Sequence, residues 1–482
     1  MRLFVLLLLA VCARAAVVEG VVLDEETGNP LARTKVVLVP LPGTAADITG
    51  VPTAERGSFV ILNVRPGWYV LRATRRGYEP AESGQLRPGR PGRAFEVVND
   101  RASDFIEIHM SHLPAITGTV LDENGVGIPR WTVHIYTSGK PIRHVAQVDT
   151  DDRGNYRFGE LEPGSYLLRS TEGHYEDDTA VLATYSRSSV ELGNAVPQTV
   201  RVGETAHDIT IRPIKGRLLT LSGIFYPLGG NGSGGATLTM ITDTGRREIL
   251  SASEARPFSV TGVQPGAVEF LVKGDDGFGN ECGGYSLVAV DKDVSTLRPS
   301  CNPLRRSSIS ISGAIVQSPI TVRRVDLDGA TEAHPIARDE DLAPGHWEIR
   351  IPRGDYYVMG VRASGSPASS AGGWWGFDTG SDARVTIQLS SRPASISGVV
   401  STGGSPVGGA PVFLTQINSG EVWTARSDPQ GNYTIGGLAP ATYSIVSGFD
   451  MDMNGGSVSR HAETVSTAEG GVTMQALELV LP

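Results

Sequence analysis

Apolar and polar residues alternate in short runs along almost the whole chain, and the runs recur. An apolar-x-Gly-x-apolar segment appears five times, at Val18-Glu19-Gly20-Val21-Val22, Ile116-Thr117-Gly118-Thr119-Val120, Leu221-Ser222-Gly223-Ile224, Ile311-Ser312-Gly313-Ala314 and Ile396-Ser397-Gly398-Val399. A period of two predicts a half-buried strand at each. A second signature follows each copy. It reads Gly57-Ser58-Phe59 with Pro66-Gly67-Trp68-Tyr69, then Gly154-Asn155-Tyr156 with Pro163-Gly164-Ser165-Tyr166, and Gly431-Asn432-Tyr433 with Pro440-Ala441-Thr442-Tyr443. Phe258-Ser259-Val260 with Pro265-Gly266 is a reduced copy, and Trp347-Glu348-Ile349 with Arg353-Gly354-Asp355-Tyr356 is another. This predicts a strand, a turn in which Pro presets φ and Gly takes positive φ, and a second strand. The signature glycines are 98, 105, 90 and 85 residues apart. Units of that length fit β-sandwiches of ~100 residues better than the thin repeats of a solenoid.

The repeats resemble carboxypeptidase regulatory-like modules, the transthyretin-like Greek-key sandwiches of exported bacterial proteins. Module one carries the pattern as Gly28-Asn29-Pro30-Leu31 and Val36-Val37-Leu38. Module two has Thr150-Asp151-Asp152-Arg153-Gly154-Asn155-Tyr156, with Trp131 where the family usually has a small residue. Module five has Pro406-Val407, Ala410-Pro411-Val412-Phe413-Leu414 and Ser427-Asp428-Pro429-Gln430-Gly431-Asn432-Tyr433. Modules three and four keep the strand skeleton alone. The resemblance implies an all-β tandem array of five transthyretin-like or immunoglobulin-like sandwiches, at residues 16–112, 113–214, 215–304, 305–392 and 393–482. It implies a fold more than a function.

Composition supports short elements joined by tight turns. The 482 residues include 59 Gly and 30 Pro, while 40% are hydrophobic, which argues against both helical bundles and wholesale disorder. The formal charge is −10 without a basic stripe, so nucleic acid is not an expected partner. Met1-Arg2, the apolar run 3–12 and Ala13-Arg14-Ala15 have the three-part layout of a secretory signal peptide over residues 1–15. An alternative is acylation of Cys12, although the preceding Val11 is larger than such sites favour. No later segment is long and apolar enough for a membrane-spanning helix. The expected address is therefore outside the cytoplasm: periplasm, outer surface or medium. In that setting Cys282 and Cys301 favour a disulfide pinning the connection between modules three and four, the alternative being two buried thiols.

The family name invites a peptidase reading, and the motifs do not support it. None of the nine histidines begins H-x-x-E, and neither H-E-x-x-H nor G-x-S-x-G occurs. His109 and His112 form H-x-x-H, but residues three apart on a strand face opposite sides. The Gly229–Gly235 run lacks the Lys of a phosphate loop and reads as a hairpin loop. Asp450, Asp452 and Asn454 match the first half of a calcium loop, with His461 where the bidentate Glu belongs. A structural turn is the simpler reading there, as it is for Asp149–Gly154, and no cofactor is expected. Trp347 falls in a core slot, and Trp68 and Trp131 read as packing residues. Trp374, Trp375 and Phe377 interrupt a Ser/Gly/Ala-rich stretch with no strand pattern. Aromatics on such a loop can present flat faces to sugars or to a partner protein, the alternative being a plug for module four. These features together lead to the expectation of a non-catalytic exported binding protein with carbohydrate the leading ligand class. The partner is then a glycan or an envelope protein; the alternative is a structural spacer or an assembly or adhesion component of the envelope, or one associated with a transporter, with no small ligand.

Overall fold

A computed structural model describes residues 16–481 apart from 42–48, 99–102, 140–141, 176–177, 229–233, 244, 337–341, 381 and 452–460. The protein is all-β: the described residues form strands and turns, with one 3-10 turn at Leu192–Asn194. Buried apolar residues gather into five large clusters that follow one another along the chain, each between two small sheets. The first shows the plan. Strand Ala16–Asp24 lies between Ser58–Val64, antiparallel, and Ile106–Met110, parallel. The facing sheet is built on Lys35–Leu41 and Gly67–Thr74. Alternation buries Val18, Val22, Phe59, Ile61 and Ile108 between the sheets. The signal-peptide segment lies outside the described residues, as does most of the Gly229–Gly235 run.

The signature glycine has a steric cause. The final strand of each sandwich runs parallel to the first, and one of its carbonyl oxygens sits on the glycine Cα. A Cβ on Gly20, Gly118, Gly223, Gly313 or Gly398 would fall well inside contact distance of the carbonyl oxygen of Ile106, Ile209, Leu297, Leu389 or Gln475 respectively. In modules two and five the G-x-Tyr residue closes the same corner. The Tyr156 hydroxyl donates to Ile209 O and that of Tyr433 to Gln475 O, both at 2.6 Å. Replacing Tyr433 by Phe is expected to lower the thermal stability of the chain by about 1 kcal/mol, the net worth of one hydrogen bond.

The second signature is a tyrosine corner. Tyr69, Tyr166, Tyr356 and Tyr443 each donate from the hydroxyl to the carbonyl four residues earlier, on Arg65, Glu162, Pro352 and Ala439, at 2.6–2.9 Å. The hydroxyl residue four positions before the glycine of the second signature is equally regular. Thr53, Thr150 and Ser427 donate to Leu31, Ile128 and Val407 O, each at 2.6 Å, fastening one turn to the next.

Module four departs from this plan. Its first strand, Arg305–Ser312, pairs parallel with Asp382–Ser390, which pairs in turn with Tyr357–Ala363. Trp347 is buried, but its strand Gly345–Arg350 pairs with Thr321–Asp326 and so belongs to the opposite sheet from Phe59, Tyr156 and Tyr433. Spacing alone could not separate these two positions, because both bury an aromatic. Cys282 and Cys301 are disulfide-bonded with Cα atoms 5.3 Å apart. Both belong to the third apolar cluster, so the bond staples that sandwich internally rather than pinning its connection to the fourth.

Contacts also join modules that are not neighbours in sequence. Module two meets module four through the bridge Arg143↔Gly329. Module five returns to module one, where Arg426 donates to Glu82 at 2.6 Å and to Gly92 O at 2.9 Å. Arg87 and Arg90 lie 3.6 and 3.5 Å from the Asp450 carboxylate, and the Arg93 guanidinium stacks over Phe449. Gly409 is placed directly against Ala94, with no room for a side chain between them. The five sandwiches therefore close on themselves.

Candidate functional site

The tryptophan segment is a strand rather than a loop. Trp374–Thr379 pairs with Gly345–Arg350 on one side and with Ser369–Ala371 on the other. The hairpin between turns at Gly372 and Gly373, both at positive φ as a two-residue turn requires. The short polar residues before it hid a narrow edge strand, whose pattern carries no alternation. Side chains along Trp374–Thr379 then point to opposite faces. Phe377 is buried in the module-four core, and Trp375 packs against the same core. Trp374 lies on the other face, with the Arg323 guanidinium 4.0 Å and that of Arg350 5.7 Å from its ring centre.

Trp375 also lines a cleft of about 300 Å³ between modules four and five. Arg353 and Tyr357 of module four stand on one side, and Gln416, Asn418 and Trp423 of module five on the other. Arg353 crosses the seam, donating to Glu421 at 3.0 Å and to Val422 O at 2.7 Å while its guanidinium stacks over Trp423 at 4.6 Å. The seam also holds Gly372 N–H to Ser419 O at 3.0 Å and Ser390 Oγ to Glu469 at 2.7 Å. The Trp423 N–H is buried and has no hydrogen-bond partner among the described residues. Trp423 could have been noticed as the sixth tryptophan, on the alternating strand Val422–Arg426. Nothing local showed that module four would come to face it.

A second polar junction joins modules two, three and four. Arg169 is 1% exposed, forms an ion pair with Asp243 of module three and stacks over Tyr185. Beside it, His134 Nδ1 and His144 Nε2 are 3.1 Å apart. Across the third seam Arg246 makes two 2.8 Å hydrogen bonds to Asp328 of module four, and Glu269 accepts the Leu327 N–H at 2.9 Å. Burial, then the charges of His144 and Arg169, push His134 down to about 4, against a smaller opposing pull from Asp149. Burial lowers His144 too, opposed by Asp328. Above about pH 4 the His134 ring is neutral in the folded chain, whereas a free imidazole takes up a proton near pH 6.5. The contribution of His134 to folding stability is thus complete above pH 6.5 and falls as pH drops from there towards 4, by roughly 3 kcal/mol. Thermal unfolding at pH 7.5 and 4.5 should show this loss, and His134→Gln should flatten it.

The other candidate residues already have partners within the protein. Asp450 faces Arg87 and Arg90, so its carboxylate is already opposed by two cations; Asp452 and Asn454 lie outside the described residues. His109 is within 3.5–3.6 Å of Glu25 and Glu107, and His112 is 3.1 Å from Asp24, which the Tyr78 hydroxyl also reaches at 2.8 Å. Burial opposes ionisation of Asp24, but hydrogen bonds from Thr27 and Tyr78 and the charge of His112 hold its carboxyl at about 2. The turn at Asp151 is closed by its own side chain, which accepts the N–H groups of Arg153 and Asn155. Among the described residues no three His, Cys, Asp or Glu side chains are grouped to hold a metal, and no helix is long and apolar enough to cross a membrane.

Solved structures resemble the chain only distantly. The TIE protein of Bacillus anthracis is 11% identical, with 96% of this chain and 74% of that one covered at a TM-score of 0.20. GBS52, the minor pilin of Streptococcus agalactiae, is 14% identical over 42% of this chain and 97% of its own, at 0.25. BcpA, the major pilin subunit of Bacillus cereus, is 10% identical over 76% and 98%, at 0.16. Among curated proteins no sequence matches. The carboxypeptidase regulatory-like domain family matches residues 17–98, 115–205 and 395–477, which together span more than half of the chain and cover modules one, two and five. On that match, and on the glycine, tyrosine and hydroxyl contacts repeated in those three modules, the chain belongs to the carboxypeptidase regulatory-like domain family.

Proposed function

We propose that this chain is a non-catalytic component of the cell envelope that acts by assembly or adhesion, as a closed scaffold of five sandwiches held outside the cytoplasm. The observation that carries this reading is the return of module five to module one. Arg426, Glu82 and Gly92 form a partly buried polar seam between residues more than 300 positions apart. A seam of that kind fixes the relative placement of all five modules and so presents their outer surfaces as one rigid body. Modules of a regulatory-like family supply surfaces rather than reacting groups, which agrees with the absence of a peptidase motif from the sequence.

A second reading has a specific observation in its favour. Of Trp374, Trp375 and Phe377, the last is enclosed in the core, but Trp375 would belong to a carbohydrate-binding surface, and the cleft beside it brings further aromatic and carboxamide side chains to it. One experiment separates the two. The mature chain is sedimented with native envelope fragments before and after their glycans are digested with polysaccharide hydrolases. Co-sedimentation that survives digestion is expected for protein-mediated assembly. Loss on digestion favours the carbohydrate reading, and failure to sediment with intact fragments would contradict both.

A further inference from the structure

We infer that the cleft between modules four and five is a composite carbohydrate site, in which Trp375 supplies the stacking face and module five supplies the polar contacts. This rests on the carbohydrate reading above and relocates it. Trp374 is taken up on the opposite sheet face by Arg323 and Arg350, and Phe377 is enclosed in the core, so neither reaches the cleft. Trp375 is half-buried and lines it.

The chemistry of the walls selects the ligand class. An indole face attracts the apolar C–H face of a pyranose ring, and a sugar's hydroxyls need donors and acceptors side by side around the rim. The cleft has both. Asn418 is exposed, with its carboxamide unengaged by any described residue, and offers a donor pair and an acceptor. Gln416 accepts from Ser419 through Oε1 at 2.6 Å and keeps its amide hydrogens as donors. The one charge pair on the rim, Arg353 and Glu421, is mutually neutralised at 3.0 Å, so the site has no net charge with which to hold an ionic ligand. The Trp423 N–H, buried and without a hydrogen-bond partner among the described residues, is a further donor in the module-five wall. An aromatic groove can also take a proline-rich peptide. The carboxamides at the rim favour the sugar, because a polyproline segment presents carbonyl acceptors alone and would leave the Asn418 acceptor oxygen unmatched.

The site needs both modules. Module four alone has Trp375 without the carboxamides, and module five alone has the carboxamides without Trp375. The test is calorimetric titration of the full mature chain with neutral tetrasaccharides, cellotetraose, maltotetraose and chitotetraose, and with a proline-rich decapeptide. At least one sugar is expected to bind, with affinity reduced at least five-fold by Asn418→Ala and by Trp375→Leu and unchanged by Trp374→Ala. Asn418 is exposed, so its variant keeps the test valid even where Trp375→Leu disturbs the core. Sugar binding lost in Trp374→Ala but kept in Asn418→Ala would overturn the composite cleft and leave the carbohydrate reading standing. Binding of the peptide alone, or of none of the probes, would overturn both.

Discussion

Gly398→Ala is expected to unfold the fifth sandwich at temperatures where the rest of the chain is intact, with a loss of about 3 kcal/mol. The added methyl would be placed on the carbonyl oxygen of Gln475 and beside the Tyr433 ring. Gln475 sits between two short strands paired in parallel with the first, its N–H donates to Ser397 O at 2.8 Å, and its oxygen accepts the Tyr433 hydroxyl at 2.6 Å. It cannot retreat without breaking both. Overpacking of a well-filled interior ordinarily costs ~1–3 kcal/mol, and a backbone obstacle belongs at the upper end because no rotamer change relieves it. Gly436→Ala is the control. It lies on the neighbouring strand Asn432–Leu438, has ordinary φ and would meet nothing within 4 Å. It should be neutral or slightly stabilising, since alanine reduces the entropy of the unfolded chain. Thermal unfolding with hydrogen exchange read over residues 394–481 distinguishes a local loss from a global one.

Arg426→Glu should open the seam between modules one and five while leaving each sandwich folded. Glu82 is 13% exposed and receives Arg426, Arg72 and the Gly92 N–H. Burial alone would raise its carboxyl, but Arg426 and then Arg72 and these hydrogen bonds hold it below the ordinary range. Reversing one charge leaves two carboxylates face to face in a partly buried site, and breaking such a pair costs ~3–5 kcal/mol. Hydrogen exchange over residues 80–94 and 407–412 should accelerate in the variant. The reciprocal pair Glu82→Arg/Arg426→Glu should recover most of the protection. The sign of the pH effect follows from the lowered carboxyl. Its contribution to closure is present above the ordinary carboxylate range near pH 4.3 and is lost as pH falls below it.

Much of each sandwich was legible in the sequence because local steric rules repeat wherever the plan repeats. Gly20, Gly118 and Gly398 stood out as the centre of an alternating strand, and the structure supplies the carbonyl that forbids a side chain there. Tyr166 and Tyr443 stood out through the Pro-Gly-x-Tyr and Pro-Ala-x-Tyr turns, which their hydroxyls clasp. The all-β class followed from the same signatures. What was not legible depends on contacts far apart in the chain. Trp347 satisfied the spacing but joined the other sheet, because the pattern records that an aromatic is buried and not which strand pairs with it. Ser369–Ala371 has no alternation to betray an edge strand, so the tryptophan pair looked like a loop. Trp423, Asn418 and Arg353 carry no signal until modules four and five are brought together. Arg426 and Glu82 likewise gave no sign of meeting across more than 300 residues.

Small-angle X-ray scattering of residues 16–482, beside Arg426→Glu under the same buffer, tests the closed scaffold most directly. The wild-type curve should be reproduced by five sandwiches closed through the contact of module five with module one. The variant should show a larger radius of gyration and a longer maximum dimension, with unchanged circular dichroism. A wild-type curve that requires an extended string of modules, or a variant curve superimposable on the wild type, would contradict closure.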